Sequence, residues 1–164
     1  MTAGAPHTGG CQCGAVRYAF SGEPIDPHIC HCRMCQKAFG GVFAPLAGVS
    51  LGDLAWTRGS PSFFHSSNIA ERGFCPACGT PLSFRYLDSD LINVSIGSLD
   101  RPGEVRPGQQ YGTESRLPWF ADLAALPETR TEDDLPADLQ AEKSSTQHPD
   151  HDTGAGAAPG RIDP

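Results

Sequence analysis

A chain of 164 residues is long enough to build one core of its own and too short for a large multidomain machine. It carries 19 acidic and 12 basic side chains, a formal net charge of -7, and no stretch near the roughly 20 apolar residues that cross a bilayer, which excludes a membrane-spanning helix. The charge is uneven: residues 1–126 hold ten acids and nine bases, so the nearly neutral first part lacks the basic stripe of a nucleic-acid binder, while residues 127–164 hold nine acids and three bases.

In chain order, the opening MTAGAPHTGG has neither the basic start nor the apolar run of a secretory leader, so a cytoplasmic location with reduced thiols is expected. AVRYAF then alternates, which predicts a strand with Val16, Tyr18 and Phe20 on one face. The runs GVFAPLAGVS, SFFHSS, LSFRYL and LINVSIGS are short and rich in β-branched or aromatic residues, and they predict further strands. Turns are expected at Gly9–Gly10, Gly40–Gly41, PACG and RPG. Helical periodicity is confined to a turn or two after Cys35 and between Trp119 and Leu126. The fold class is therefore mainly β, with short helical segments.

After Leu126 the chain is acidic and proline-rich, and it has no aromatic residue. Such a tail buries too little apolar area to offset its ordering entropy, so residues 127–164 are expected to be disordered, apart from a marginal helix near Asp133 to Glu142. His148 and His151 are expected to be solvated. Function is assigned to residues 1–126.

Seven cysteines fall in three tight groups, Cys11/Cys13, Cys30/Cys32/Cys35 and Cys75/Cys78. In a reducing compartment such grouping points to metal ligands rather than to disulfides. CPACG at Cys75 to Gly79 has the spacing of a metal knuckle, in which backbone N–H groups donate to sulfur and the glycine adopts the positive φ that closes the turn. CQCG at Cys11 to Gly14 is a natural partner, because residues two apart on extended chain face the same side. Four thiolates would make a closed structural zinc site. Cys30, Cys32 and Cys35 remain, and three protein ligands leave the open position of a catalytic zinc. Spacing also allows His31 to close that site, Cys30 and Cys32 to pair instead with Cys75 and Cys78, or one thiol to be an ordinary buried cysteine.

The ordered motifs GGCQCGAVRY, CHCRMCQKAFGG, RGFCPACGTPL, VSIGSLD and SRLPW, spanning Gly9 to Leu126, resemble the glutathione-dependent formaldehyde-activating enzyme family, which also includes centromere protein V. The resemblance implies a β-tent fold with two zinc ions. Cys11, Cys13, Cys75 and Cys78 would hold the structural ion, and Cys30, Cys32 and Cys35 a functional and more labile one. It also implies a carbon–sulfur lyase activity, the condensation of formaldehyde with glutathione to S-hydroxymethylglutathione and its reverse. Family members often carry a histidine in a PxxHI pattern where this chain reads PGQQY, which aligns Gln110 with the imidazole.

A zinc ion held by Cys30, Cys32 and Cys35 would bind the substrate thiol, lower its pKa and present a thiolate to a small aldehyde. Glutathione carries two carboxylates, and Lys37, Arg72 and Arg116 are the candidate cations of its pocket, with Trp119 as an apolar wall. The alternative is a non-catalytic zinc module that carries thiols or recruits a protein partner.

Overall fold

The computed structural model describes residues 5–153. Ten strands and a few short helices follow in the order β1 (His7–Gly10), β2 (Arg17–Phe20), β3 (Ile25–Cys30), α1 (Arg33–Phe39), β4 (Ala44–Ser50), β5 (Leu54–Arg58), β6 (Ser62–Ser67), β7 (Ala70–Phe74), β8 (Pro81–Tyr86), β9 (Leu91–Ser95), β10 (Gln109–Tyr111), α2 (Thr131–Asp134) and α3 (Ala137–Glu142), with 3-10 turns between β9 and α2. The fold is mainly β. Two sheets form, one with strand order β1-β2-β5 and one with order β10-β3-β4-β9-β8-β7-β6. All pairings are antiparallel except β10 with β3, which run parallel. Among the described residues no helix is long and apolar enough to cross a membrane.

The alternation of AVRYAF places Val16, Tyr18 and Phe20 in the core at 2% exposure or less, as expected. They pack with Val49, Leu82, Ile92, Val94, Leu99 and Val105 between the two sheets. Burying each such side chain contributes about 1.5–3 kcal/mol. The opposite face of β2 is not solvated. Arg17 is buried as well and forms a fork onto Asp100 at 2.8 and 2.5 Å, while Asp152 meets the same guanidinium. Tyr18 donates to or accepts from Ser98 at 2.7 Å, which satisfies its buried hydroxyl.

The Gly9–Gly10 pair, expected as a turn, instead ends strand β1, where it pairs with Tyr18 and Arg17 of β2. Backbone pairing to the next strand overrides the local turn preference. Strand β7, AERGF, was masked by its charged residues. It lies inside the sheet between β6 and β8, where Glu71 pairs with Arg85 at 2.6 Å and Arg72 is buried. The helical signal after Cys35 becomes α1, and that near Trp119 becomes a 3-10 segment at Phe120–Ala125.

The described part of the acidic tail, expected to be disordered, is almost wholly exposed and carries the two short helices α2 and α3 in the region where a marginal helix was expected. Its end nevertheless returns to the first sheet. The His148 N–H donates to the Gln12 carbonyl at 2.7 Å, and Arg58 donates to the carbonyl and hydroxyl of Thr153. His148 bonds the Thr153 hydroxyl at 2.9 Å and joins no cysteine group. Residues 154–164 of the expected disordered tail lie outside the described residues.

Candidate functional site

The seven thiols gather as two separate groups, Cys11/Cys13/Cys75/Cys78 and Cys30/Cys32/Cys35, with the sulfurs of each group within 4.8 Å of one another. All seven are free. The first group joins the turn between β1 and β2 to the turn between β7 and β8, and so links the two sheets. Cys11 and Cys13 have sulfurs 3.6 Å apart, and Cys13 and Cys75 have sulfurs 3.9 Å apart. Two sulfurs on one tetrahedral ion with bonds of about 2.3 Å would lie about 3.8 Å apart. The donor set therefore fits a metal ion.

Backbone geometry supports the thiolate form in the way the knuckle spacing predicts. The Ala77 N–H points at the Cys75 sulfur at 3.4 Å, the Val16 N–H at the Cys11 sulfur at 3.2 Å, and Gly79 adopts φ +77°. Burial pushes the thiols of Cys11, Cys13 and Cys75 up. At Cys78 burial also acts upward, but the hydroxyl and N–H of Thr80 outweigh it and bring the thiol down to about 6.

The second group is local. Cys30 ends β3, Cys32 caps α1, and Cys35 lies in its first turn, where the Cys35 N–H points at the Cys32 sulfur at 3.4 Å. Burial holds the Cys30 thiol up at about 12 and raises Cys35. Cys32 is lowered: the upward effect of burial is overcome by the Cys35 N–H, the neighbouring sulfurs and Arg72. Arg72 reaches across from β7 and donates to the Cys35 sulfur at 3.4 Å, with its guanidinium 4.9 Å over the Phe84 ring. It is only 8% exposed, and its Nη1 has no hydrogen-bond partner among the described residues.

All three thiols line a cleft of about 550 Å³, together with Arg72, Phe84 and Tyr111. A second cleft of about 480 Å³ shares Met34 and Arg72 with it and adds Arg33, Lys37 and Phe64. Of the four pocket residues expected from the sequence, Arg72 lies at the thiols and Lys37 lies one cleft away. Arg116 and Trp119 line neither cleft. Arg116 meets Gln110 at 3.5 Å, and Trp119 is 46% exposed.

His31 does not close the second group. Its ring is fully buried, 4.6 Å from the Phe120 ring and 6.0 Å from the Phe43 ring, and Nε2 donates to Gln110 Oε1 at 2.9 Å. Residues that follow one another on extended chain face opposite ways, so a histidine between two ligands turns its ring to the far side. Gln36 completes this side by donating to the carbonyls of His31 and Ser115.

Sequence reasoning missed Asp26, His28 and Tyr111, which stand on the wall of the larger cleft. They meet because β10 adds to β3 in parallel, with Gln109 opposite His28 and Tyr111 opposite Cys30. No local pattern encodes that pairing. Tyr111 donates to the Asp26 carboxylate at 2.9 Å, and this hydrogen bond raises the phenol above its ordinary value.

A family model described as glutathione-dependent formaldehyde-activating enzyme matches residues 6–115. The chain belongs to this family. The match takes in all seven cysteines, Lys37 and Arg72 and ends at Ser115, so Arg116 and Trp119 fall outside it. Among solved structures, a Rhodobacter sphaeroides protein is similar at 24% identity and a TM-score of 0.51, with 63% of this chain and 98% of that one covered. That likeness supports the fold of this member of the formaldehyde-activating family.

Proposed function

We propose that the protein is a zinc-dependent carbon–sulfur lyase that makes and breaks the adduct of a thiol, glutathione or a close analogue, with a small aldehyde such as formaldehyde. The observation that carries this assignment is the Cys30/Cys32/Cys35 group. Three thiols converge without a fourth histidine, cysteine or carboxylate among the described residues, and all three line one cleft. Three protein ligands are the donor set of a metal site that keeps one position for substrate. The family named for glutathione and formaldehyde supplies the chemistry that suits such a site.

Zinc bound there would keep a thiol, whose ordinary pKa is about 8.5, as thiolate near neutral pH. The protein's own side chains do the rest. Arg72 offsets the charge of three thiolates around a dication, and its Cys35 contact orients that ligand. Lys37 and Arg33, in the adjoining cleft, provide cations for the carboxylates of a peptide thiol, with Met34 and Phe64 as apolar surface. Phe84 and Tyr86 line the side of the larger cleft that a small aldehyde would share.

Cys11, Cys13, Cys75 and Cys78 are assigned to a second, structural zinc. Residues 1–126 make the zinc-binding unit, and 127–164 are its acidic appendage.

The test is metal content by mass spectrometry on anaerobically purified wild type and Cys32→Ser, joined to the rate of S-hydroxymethylglutathione formation. Two zinc ions in wild type, one in the variant, and acceleration above the spontaneous rate only in wild type are expected. A wild type that holds two ions and binds glutathione stoichiometrically without any acceleration would make the protein a thiol carrier.

A further inference from the structure

We propose that the Tyr111 hydroxyl, held by Asp26 in the cleft that the three thiols line, takes the hydroxyl proton of the bound thiol–aldehyde adduct while passing its own proton to Asp26, a role that presupposes the lyase activity proposed above.

Breaking such an adduct into thiolate and aldehyde requires a group to remove the hydroxyl proton, and sulfur ligands offer none with the necessary oxygen or nitrogen atom. The family pattern has an imidazole at position 110, where this chain has Gln110. Alternation along β10 sends that side chain behind the sheet, where it accepts from His31, while Tyr111 lines the cleft. Even a histidine at 110 would therefore face away from the thiols.

Tyr111 is held firmly relative to them. It lies opposite Cys30 in the parallel register, so both side chains project from the same face, and the His31 N–H donates to the Tyr111 carbonyl at 2.8 Å. The next residue, Gly112, passes so close to the ligand loop that a Cβ there would lie 2.6 Å from the Cys32 nitrogen.

The carboxylate partner is also built in. Asp26 accepts from the Tyr111 hydroxyl at 2.9 Å on one oxygen and from the Gln109 amide on the other. Strand β3 has an irregular register between Ile25 and His28, and Asp26 is the one non-glycine residue with positive φ among the described residues, at +47°. Asp tolerates that conformation better than most residues, and a backbone held there at a cleft is typical of positions kept for function. His28 packs edge-on to the Tyr111 ring with centroids 4.7 Å apart, and its Nδ1 donates to the Asp26 carbonyl at 2.8 Å.

The bonds balance. The adduct O–H breaks and its electron pair forms the aldehyde C=O. The C–S bond breaks with its pair left on sulfur. The proton moves to Tyr111 Oη as the proton already there moves to Asp26, which is exposed and returns it to water. In the condensation direction the same path protonates the developing alkoxide. Tyr111 touches the reacting oxygen, and Asp26 acts through it.

The experiment uses full-length, zinc-loaded wild type, Tyr111→Phe and Asp26→Asn, and follows formaldehyde release from S-hydroxymethylglutathione. Tyr111→Phe should lower kcat about 100-fold, with KM and calorimetric affinity for glutathione alone changed by less than about twofold and zinc content unaltered. A proton inventory of kcat in mixtures of light and heavy water should bow downward in wild type, as two protons in flight require, and be linear in Tyr111→Phe, where water takes the single proton. Asp26→Asn keeps an acceptor for the phenol but cannot take the proton, so it should lose about 10-fold in kcat. Wild-type kcat in Tyr111→Phe overturns the relay and leaves the lyase assignment standing. Loss of zinc in that variant also overturns it and assigns the tyrosine to holding β10 in place. A wild type that does not accelerate release overturns both.

Discussion

Cys11, Cys13, Cys75 and Cys78 come from two sheets and close on one another, with Cys13 and Cys75 62 residues apart. Cys30, Cys32 and Cys35 come from six consecutive residues and open onto a cleft. The thiol chemistry is the same, and the difference lies in what each group spans. A metal shared between distant segments is part of the tertiary fold, because its binding free energy is available only when both segments are in place. One held by a loop and the first turn of a helix closes a short stretch of chain, so the scaffold around it stands without it. Burial follows the same division. Cys11 and Cys75 belong to the main core, whereas Cys35 packs in a smaller one with Ala44 and Leu46.

The largest expected effect is at the first group. Cys75→Ser should remove on the order of 10 kcal/mol of apparent folding free energy, seen as loss of the cooperative melting transition, while Cys35→Ser should still melt cooperatively with one metal ion fewer. Equal collapse of both variants would erase the distinction between a structural and a functional group.

Next comes the ion pair that secures β2 beside the first group. Asp100→Asn leaves the buried Arg17 with the half-exposed Asp152 as its carboxylate partner and should cost about 1.5–3 kcal/mol in denaturant titration. The same pair sets an acid sensitivity. Burial pushes the Asp100 carboxyl up, but hydrogen bonds from Arg17 and Thr8 pull it further down, to a net value below the ordinary carboxylate range. A depressed folded pKa gives stability that is present above about pH 4 and lost as pH falls through the folded value. Wild type should therefore lose stability on acidification, and Asp100→Asn should lack that component.

A smaller effect is expected from the tail. Deleting residues 146–164 removes His148, Asp152 and Thr153 from the first sheet, contacts that are half-exposed and worth about 1 kcal/mol together. A chelator should then strip the first metal faster while the second leaves at its wild-type rate. Equal acceleration at both groups would show that the tail acts on the whole fold.

The smallest is Gln110→His. Because position 110 faces His31, activity and metal content should stay within about twofold of wild type. A large gain in kcat would mean that this side chain reaches the thiol cleft.

Much of the site was legible from spacing. The CPACG turn and its positive-φ glycine follow from local geometry that a few consecutive residues impose, whereas spacing left open which thiol pairs would group, and the fold joins Cys11 and Cys13 to Cys75 and Cys78. The strand faces of AVRYAF were legible from local geometry as well. What stayed hidden depended on pairing. AERGF gave no strand signal because its charged residues find their partners only inside the sheet, Glu71 in Arg85 and Arg72, in part, in a sulfur and an aromatic face. Lys37, Arg72, Arg116 and Trp119 were equal candidates in sequence, yet only Arg72 meets the thiols.

The sequence by itself determined which neighbouring sulfurs could share a metal ion, because cysteines two or three positions apart have little choice but to face a common point. Tertiary structure decided what surrounds that point. Parallel addition of β10 to β3 brings Tyr111 and Asp26 together across 85 residues, and the pairing of β7 within the sheet delivers Arg72 to the Cys35 sulfur. Ligand spacing is a property of a few bonds, whereas the register of one strand on another is set by the packing of the whole core.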